Sequence, residues 1–329
     1  MCKLSIIIPV YNVEPYVGKT LNSVFETAAP TEDFEVIVVN DGTKDGSMGV
    51  VHLFGDRPNL KILEQDNQGL SAARTRGLSV AQGDFIWFVD SDDWLVEDGV
   101  GKVLSLLKER PDADVLMFPL QHIVVADPSK NRLDYQFSGE TAVSGIEVMR
   151  DLGLYIWCAP RFVFKRSFTK DDRLFFPLGM LHEDEYFCPV LMYLSSRVYI
   201  FDWPVYNRYL RPGSIMTTIG VRSAYDTVSI HRLLIQFMER NLPHSEWSWF
   251  RRQSMDQLET SYSFNKKNFG SSEFKRFACR EGFYVWREWL PVNRDKTLRR
   301  KFGQLFFYLM PDLKTKYSRW MNSNRYSNC

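Results

Sequence analysis

Short apolar runs alternate with amphipathic stretches through the first third of the chain. Leu4 to Val10, Phe34 to Val39, Leu60 to Leu63 and Phe85 to Val89 are runs rich in aliphatic, β-branched or aromatic residues. Such runs suit strands covered on both faces. Between them, Val17, Leu21, Val24 and Phe25 recur at helical spacing, a weak helix leads to Phe54, and Ser71 opens a helix that continues to Ala81. Strand and helix in strict alternation predict right-handed parallel crossovers in a doubly wound, mostly parallel sheet with helices on both faces. Further on, Val100, Val103, Leu104 and Leu107 mark an amphipathic helix, and Asp114 to Leu120 reads as one more strand. Residues 126–145 are polar and turn-rich, Ile146 to Leu154 is helical in pattern, and Trp157 to Phe164 is apolar. From about Tyr225 to the end the pattern is helical, aromatic and basic.

The polar interruptions carry the candidate chemistry. In G-D-F-I-W-F-V-D-S-D-D-W, Gly83 to Trp94, an apolar strand stops on Asp90, Ser91, Asp92 and Asp93. Carboxylates this close repel one another unless a cation or donor network offsets them. Ligands of open α/β sheets bind beyond the carboxyl ends of strands, where one or two carboxylates and substrate phosphates can hold a hard divalent ion. The competing expectation is an acidic turn in which Asp92 or Asp93 caps the next helix. Asp41, at the end of the second strand, is placed to accept from a nucleobase or a ribose hydroxyl, or simply belongs to an Asp-Gly turn. Arg74 and Arg76 lie early in the helix after Gly69, suited either to phosphate contacts or to a solvated face.

Two later clusters complete the set. Phe175 to Phe187 reads F-F-P-L-G-M-L-H-E-D-E-Y-F, a glycine-bearing loop that delivers Glu183, Asp184 and Glu185 to the start of an apolar helix. Acids there suit the helix dipole, and a helix start also holds a catalytic base firmly. Tyr206 to Ser214 carries Arg208 and Arg211 in what reads as a loop, able to close over a diphosphate or merely to line the surface.

Composition narrows the class. The chain has 329 residues, 45% apolar and 25% charged, as expected of a globular protein. Its five widely spaced cysteines form no C-x-x-C pair, which argues against a zinc site or a disulfide framework. No G-x-G-x-x-G follows the first strand and no G-x-x-x-x-G-K-[ST] occurs, so the usual dinucleotide and P-loop motifs are missing. No run approaches a bilayer span, and the first residues read as a strand rather than a signal peptide; a reducing cytoplasm is the expected compartment. From Arg240 on, Lys and Arg outnumber Asp and Glu by roughly two to one. No nucleic-acid motif accompanies that charge.

These pieces, in this order, resemble an inverting GT-A fold glycosyltransferase of glycosyltransferase family 2. The resemblance runs from Ser5 to about Met216 on S-I-I-I-P-V-Y-N, N-D-G-T-K-D-G-S, N-Q-G-L-S-A-A-R, the Asp-ended strand, H-E-D-E-Y-F and R-Y-L-R-P-G-S-I-M. The last two look most like bacterial enzymes of capsule, exopolysaccharide or lipopolysaccharide synthesis. The resemblance implies a GT-A catalytic domain over residues 1–220, its nucleotide-binding part about 1–115 and its acceptor part about 116–220, then a helical basic region over 221–329. It implies a nucleoside-diphosphate sugar donor, UDP-linked as the first expectation, and a saccharide or lipid-linked acceptor. Pro9, Tyr11 and Asp41 would hold the nucleotide, Arg74 would lie over base or phosphate, Asp90 near the ribose, Asp92 on a manganese or magnesium ion, and Asp184 would be the general base. Thr75 in place of the usual Asn, and Thr43-Lys44 in place of Ser-Thr, depart from the pattern and leave the donor base open.

Two other classes compete. A non-catalytic subunit would bind sugar nucleotide without turnover. A haloacid-dehalogenase-like phosphotransferase would form a phospho-aspartate on Asp90, but Trp94 stands at the last position of its D-x-D-x-[TV] motif. Finally, Leu298 to Met310 joins Arg299, Arg300 and Lys301 to Phe302, Leu305, Phe306 and Leu309 on one helical face. That face either packs on the body of the protein or lies on the inner face of an anionic membrane.

Overall fold

The structure, a computed structural model, describes residues 3–135, 142–152, 157–210, 221–247, 249–250 and 253–254. The chain divides into two compact units, Met1–Thr217 and Thr218–Cys329. In the first, β1 (Leu4–Val10), α1 (Glu14–Phe25), β2 (Phe34–Asp41), α2 (Ser47–His52), β3 (Leu60–Gln65), α3 (Leu70–Val80) and β4 (Phe85–Phe88) follow the alternation of the sequence. β1 lies between β2 and β4 and runs parallel to both. Every residue of β1, β2 and β4 is buried, which explains why these strands read as continuous apolar runs rather than alternating ones.

Pro9 sits within β1 without cost to the sheet. Val89 N–H donates to the Ile7 carbonyl, so odd-numbered residues of β1 face β4. The β1–β4 pairing ends at Ile7 and Phe88, so the donor that Pro9 lacks falls where no strand is left to receive it. The sheet opens there, and the carboxyl end of β4 leads straight into Asp90.

After β5 (Trp94–Leu95) and α4 (Gly99–Glu109), the chain departs from the expected pattern. The single strand expected over Asp114 to Leu120 is two: β6 (Val115–Met117) in the main sheet and β7 (Leu120–Ile123) in a second sheet. Pro119 lies at the break and can donate no ladder bond. β8 (Arg132–Leu133), α5 (Gly145–Leu152), β9 (Phe162–Lys165), α6 (Asp184–Leu194), β10 (Val198–Ile200) and β11 (Tyr206–Tyr209) complete the unit. The main sheet has the order β10-β6-β9-β4-β1-β2-β3. β9 runs antiparallel between β4 and β6, so the sheet is mostly but not wholly parallel. The second sheet, β5-β11-β7-β8, begins with the two residues that follow the acidic cluster.

In the second unit, α7 (Val221–Asn241) buries Val228, Ile230, Leu234 and Met238. Among the described residues no helix is long and apolar enough to cross a membrane. The segment Leu298 to Met310 lies outside the described residues.

Candidate active site

The loops beyond β1 and β2 are tied together by side chains. Asn12, with a left-handed backbone, donates its N–H to Thr43 Oγ1 at 2.7 Å and accepts from Lys44 N–H at 3.0 Å. Asp45 receives Glu14 N–H at 2.9 Å and Ser47 N–H at 3.0 Å; burial opposes its charge, but these bonds and the Ser47 and Thr43 hydroxyls bring its pKa down to about 2. The departure at Thr43-Lys44 therefore still supplies a hydroxyl and a backbone donor that join the two loops. Asp41 is 3% exposed. Its carboxylate accepts from Gln65 Nε2 at 2.7 Å and from the backbone N–H of Gln68 and Gly69 at 2.9 and 2.8 Å. It thus fixes the turn that starts α3. Gly42, at φ +68°, abuts this turn so closely that a Cβ would stand 2.8 Å from Asn67 N. Pro9 is buried, whereas Tyr11 is exposed at the mouth of the same edge.

The acidic cluster does not cap a helix. β5 follows it directly, and α4 begins only at Gly99, with Asp98 before it. Its three carboxylates have separate fates. Asp93 is 4% exposed and accepts from Tyr206 Oη at 2.8 Å and Tyr209 N–H at 2.7 Å. Burial, then the charges of Asp90 and Asp92, push its pKa well up. Tyr206 Oη also accepts from Asp90 N–H at 3.0 Å, so one buried tyrosine ties the strand end to the second sheet. Asp90 and Asp92 remain half-buried.

Arg74 is buried between two carboxylates. The residue is 1% exposed; Nη2 donates to Asp90 Oδ1 at 2.8 Å and Nη1 to Glu183 Oε1 at 2.6 Å. Arg76, two residues on, is exposed, as a solvated helix face requires. Thr75 turns its hydroxyl back to the Ser71 carbonyl at 2.8 Å. Ser71 Oγ in turn donates to the Pro177 carbonyl at 2.9 Å, docking α3 on the loop that precedes α6. Phe176 stacks on Phe187 of α6 with centroids 4.0 Å apart, and Phe88 at the end of β4 meets both rings edge-on at 5.3 and 6.0 Å. Aromatic packing thus joins the Asp-ended strand to the helix that bears the later acids.

Asp184 is the first residue of α6, as its place before an apolar helical run predicts. Burial raises its pKa, countered by Arg74, with Glu185 raising it again and His182 and Arg208 lowering it. Glu183, 5% exposed, is pushed up to about 7 by burial despite Arg74. Arg208 is not in a loop: it belongs to β11, in register with His122 of β7. It lies within electrostatic reach of Asp90, Asp93 and Asp184, and its guanidinium has no ion-pair partner among the described residues. Arg211 lies outside the described residues. Tyr206 is a site-building residue that sequence patterns alone do not single out, and the pairings of Glu183 with Arg74, Asp93 with Tyr206 and Ser71 with Pro177 lie too far apart in the chain to be read from them.

Among the described residues no group of three or more His, Cys, Asp and Glu forms a ready-made metal cage. The donor set nevertheless fits a hard cation. Asp90 and Asp92 are accessible oxygen donors whose combined charge already raises Asp93. One or two carboxylates completed by phosphate oxygens are the habitual surroundings of magnesium and manganese.

A mostly parallel α/β sheet with an acidic D-x-D turn at the carboxyl end of β4 is the architecture of a GT-A fold. Residues 5–171 match Glycosyl transferase family 2, and the chain belongs to that family. It is 25% identical over 242 residues to the putative glycosyltransferase EpsH of Bacillus subtilis, covering 72% of this chain and 70% of EpsH. It is 27% identical over 238 residues to the poly(ribitol-phosphate) beta-N-acetylglucosaminyltransferase TarS of Staphylococcus aureus, covering 71% of this chain but only 40% of TarS. In three dimensions it matches residues 1–349 of S. aureus TarS in complex with UDP-GlcNAc, with TM-score 0.74 and 22% identity over 95% of this chain and 92% of that one. A mannosyltransferase from Pyrobaculum calidifontis, in complex with GDP-Man and Mn2+, matches with TM-score 0.54 and 16% identity over 94% of this chain and 85% of that one.

Proposed function

We propose that this glycosyltransferase moves a sugar, with inversion, from a UDP-linked donor to a hydroxyl of a saccharide or lipid-linked acceptor in surface polysaccharide synthesis. One observation carries the reading. Asp184, a carboxylate whose surroundings raise its proton affinity, is held at a helix start within the field of the same two arginines that face Asp90. A carboxylate fixed in that way at a helix start is placed to act as a general base. The UDP-GlcNAc complex of TarS and the names of the relatives support the donor class and the polysaccharide setting.

The acceptor hydroxyl gives its proton to Asp184 as its oxygen forms a bond to the anomeric carbon. The bond from that carbon to the phosphate oxygen breaks, and its electron pair leaves with the nucleoside diphosphate. One displacement inverts the centre and needs no second carboxylate nucleophile. Arg208, joined by Arg211, offsets charge on the diphosphate. Asp92, supported by Asp90, would hold a divalent ion, which supplies Lewis-acid stabilisation of the leaving group. Pro9, Tyr11 and Asp41 shape the nucleotide end, Asp41 by holding the turn around Gln68 and Gly69.

Thermal-shift titration with a panel of UDP- and GDP-sugars, with and without manganese, tests the donor class. A metal-dependent upward shift with UDP-sugars, followed by UDP release, is expected. No shift with any UDP-sugar in manganese would overturn the assignment.

A further inference from the structure

We propose that Glu183 is a positioning residue, which through Arg74 locks the base segment to the Asp90 end of β4. The donor-side carboxylate and the acceptor-side base are thereby held as one piece. The inference rests on the functional reading above, in which Asp184 is the base.

The geometry is that of a strut. Side-chain exposure is 2% for Arg74 and 7% for Glu183 in a pair 2.6 Å apart. The other end of the guanidinium meets Asp90 at 2.8 Å, where the carboxylate is 28% exposed. A guanidinium is planar and rigid, so anchoring both Nη atoms fixes the separation of the two carboxylates more tightly than a lysine could. The strut runs through α3, whose Ser71 separately holds Pro177 at 2.9 Å. Arg74 also rests against the rings of Phe176 at 5.4 Å and Phe88 at 5.6 Å. One end of this assembly touches the residue that follows the apolar run of β4; the other touches the residue immediately before Asp184.

Stability alone is a poor reason for such a cluster. Buried ion pairs seldom stabilise more than apolar residues of the same volume. Phe88, Phe176 and Phe187 already pack α6 against β4 without help from charge. What the charges add is a fixed position. A base misplaced by about 1 Å loses on the order of 10²-fold in rate. Glu183 itself is too committed to be the base, since Oε1 is taken by Arg74 and the residue is 5% exposed against the half-buried Asp184.

The test uses the full chain with UDP-GlcNAc and manganese, reading UDP release across pH for wild type, Glu183→Gln, Glu183→Asp and Asp184→Asn. Glu183→Gln keeps an acceptor for Arg74 but removes the charge. Its kcat should fall about 10- to 100-fold with the donor KM within about threefold of wild type. Its acid limb should move to lower pH, because a neighbouring anion no longer disfavours the Asp184 carboxylate and Arg74 is freed toward it. Glu183→Asp keeps the charge with a shorter reach: its limb should stay with wild type while kcat is reduced. If Glu183→Gln does not fold, Glu183→Asp alone carries the kcat-against-KM reading. Wild-type kcat and limb in both variants, or a loss confined to KM, would overturn the proposal. Wild-type turnover by Asp184→Asn would instead show that the functional reading beneath it is wrong.

Discussion

Arg74 and Asp90 meet end to end, Nη2 to Oδ1 at 2.8 Å, the guanidinium 2% exposed and the carboxylate 28%. A buried cation therefore anchors the D-x-D turn while part of the Asp90 carboxylate stays exposed. Removing it strands Glu183 and Asp90 together. Breaking a buried pair by deleting one partner costs about 3–5 kcal/mol. Arg74→Met should lower the thermal midpoint clearly and abolish donor binding, whereas Arg76→Met, on the exposed face, should change neither. Calorimetric melting of both variants checks this, and an unchanged midpoint for Arg74→Met would be inconsistent with the strut.

The pH dependence of stability has a defined sign. Glu183, Asp184 and Asp93 all have proton affinities raised by burial. Between the ordinary value of 4.5 and about 7, folded Glu183 binds more protons than the unfolded chain. Stability must then fall as pH rises through that window and level off above it. Asp45, lowered to about 2, is already ionised there and contributes no slope. The unfolding free energy from urea titrations between pH 5 and 7.5 should decline in the wild type by an amount on the order of 1–3 kcal/mol, with the midpoint falling in step, and less steeply in Glu183→Gln. A rising midpoint over this range would contradict the burial assigned to these acids.

Arg208 should act on the donor. It stands in β11 with no ion-pair partner among the described residues, within the field of Asp90 and Asp184. Hydrogen bonds to charged groups are worth about 1.5–3 kcal/mol, so Arg208→Ala should weaken UDP binding about 10- to 100-fold. Arg208→Lys should recover part of this as a point charge. Isothermal titration with UDP and manganese measures both; equal affinities in all three proteins would remove Arg208 from the site.

The proposed role of Asp92 on a divalent ion predicts that its loss separates metal-dependent from metal-independent donor binding. In Asp92→Ala, UDP binding should lose its response to manganese, and wild-type binding should collapse in excess chelator. Undiminished activity of wild type in chelator would argue against the ion.

How far the sequence discloses this arrangement depends on how local each signal is. β1, β2 and β4 were legible because strands covered on both faces are apolar throughout, and Asp90 and Asp92 because they end such a run. Asp184 was legible as an acid at the start of an apolar helix. The role of Arg74 was not, because its partner Glu183 lies 109 residues away and a helical arginine ordinarily faces solvent. Arg208 reads as a loop residue because Tyr-Asn-Arg-Tyr lacks an apolar alternation, yet pairing with β7 makes it a strand. The division between β6 and β7 hides inside one apolar run, with Pro119 its single local sign.

The base is the centre of the account, and Asp184→Asn tests it most directly. A positioned general base contributes about 10²–10⁴-fold, or roughly 3–5 kcal/mol of barrier. With UDP-GlcNAc and manganese, turnover of Asp184→Asn should fall by that factor while the affinity for UDP stays within about threefold of wild type. Wild-type turnover in the folded, UDP-binding variant would contradict the assignment and move the chemistry to another acid.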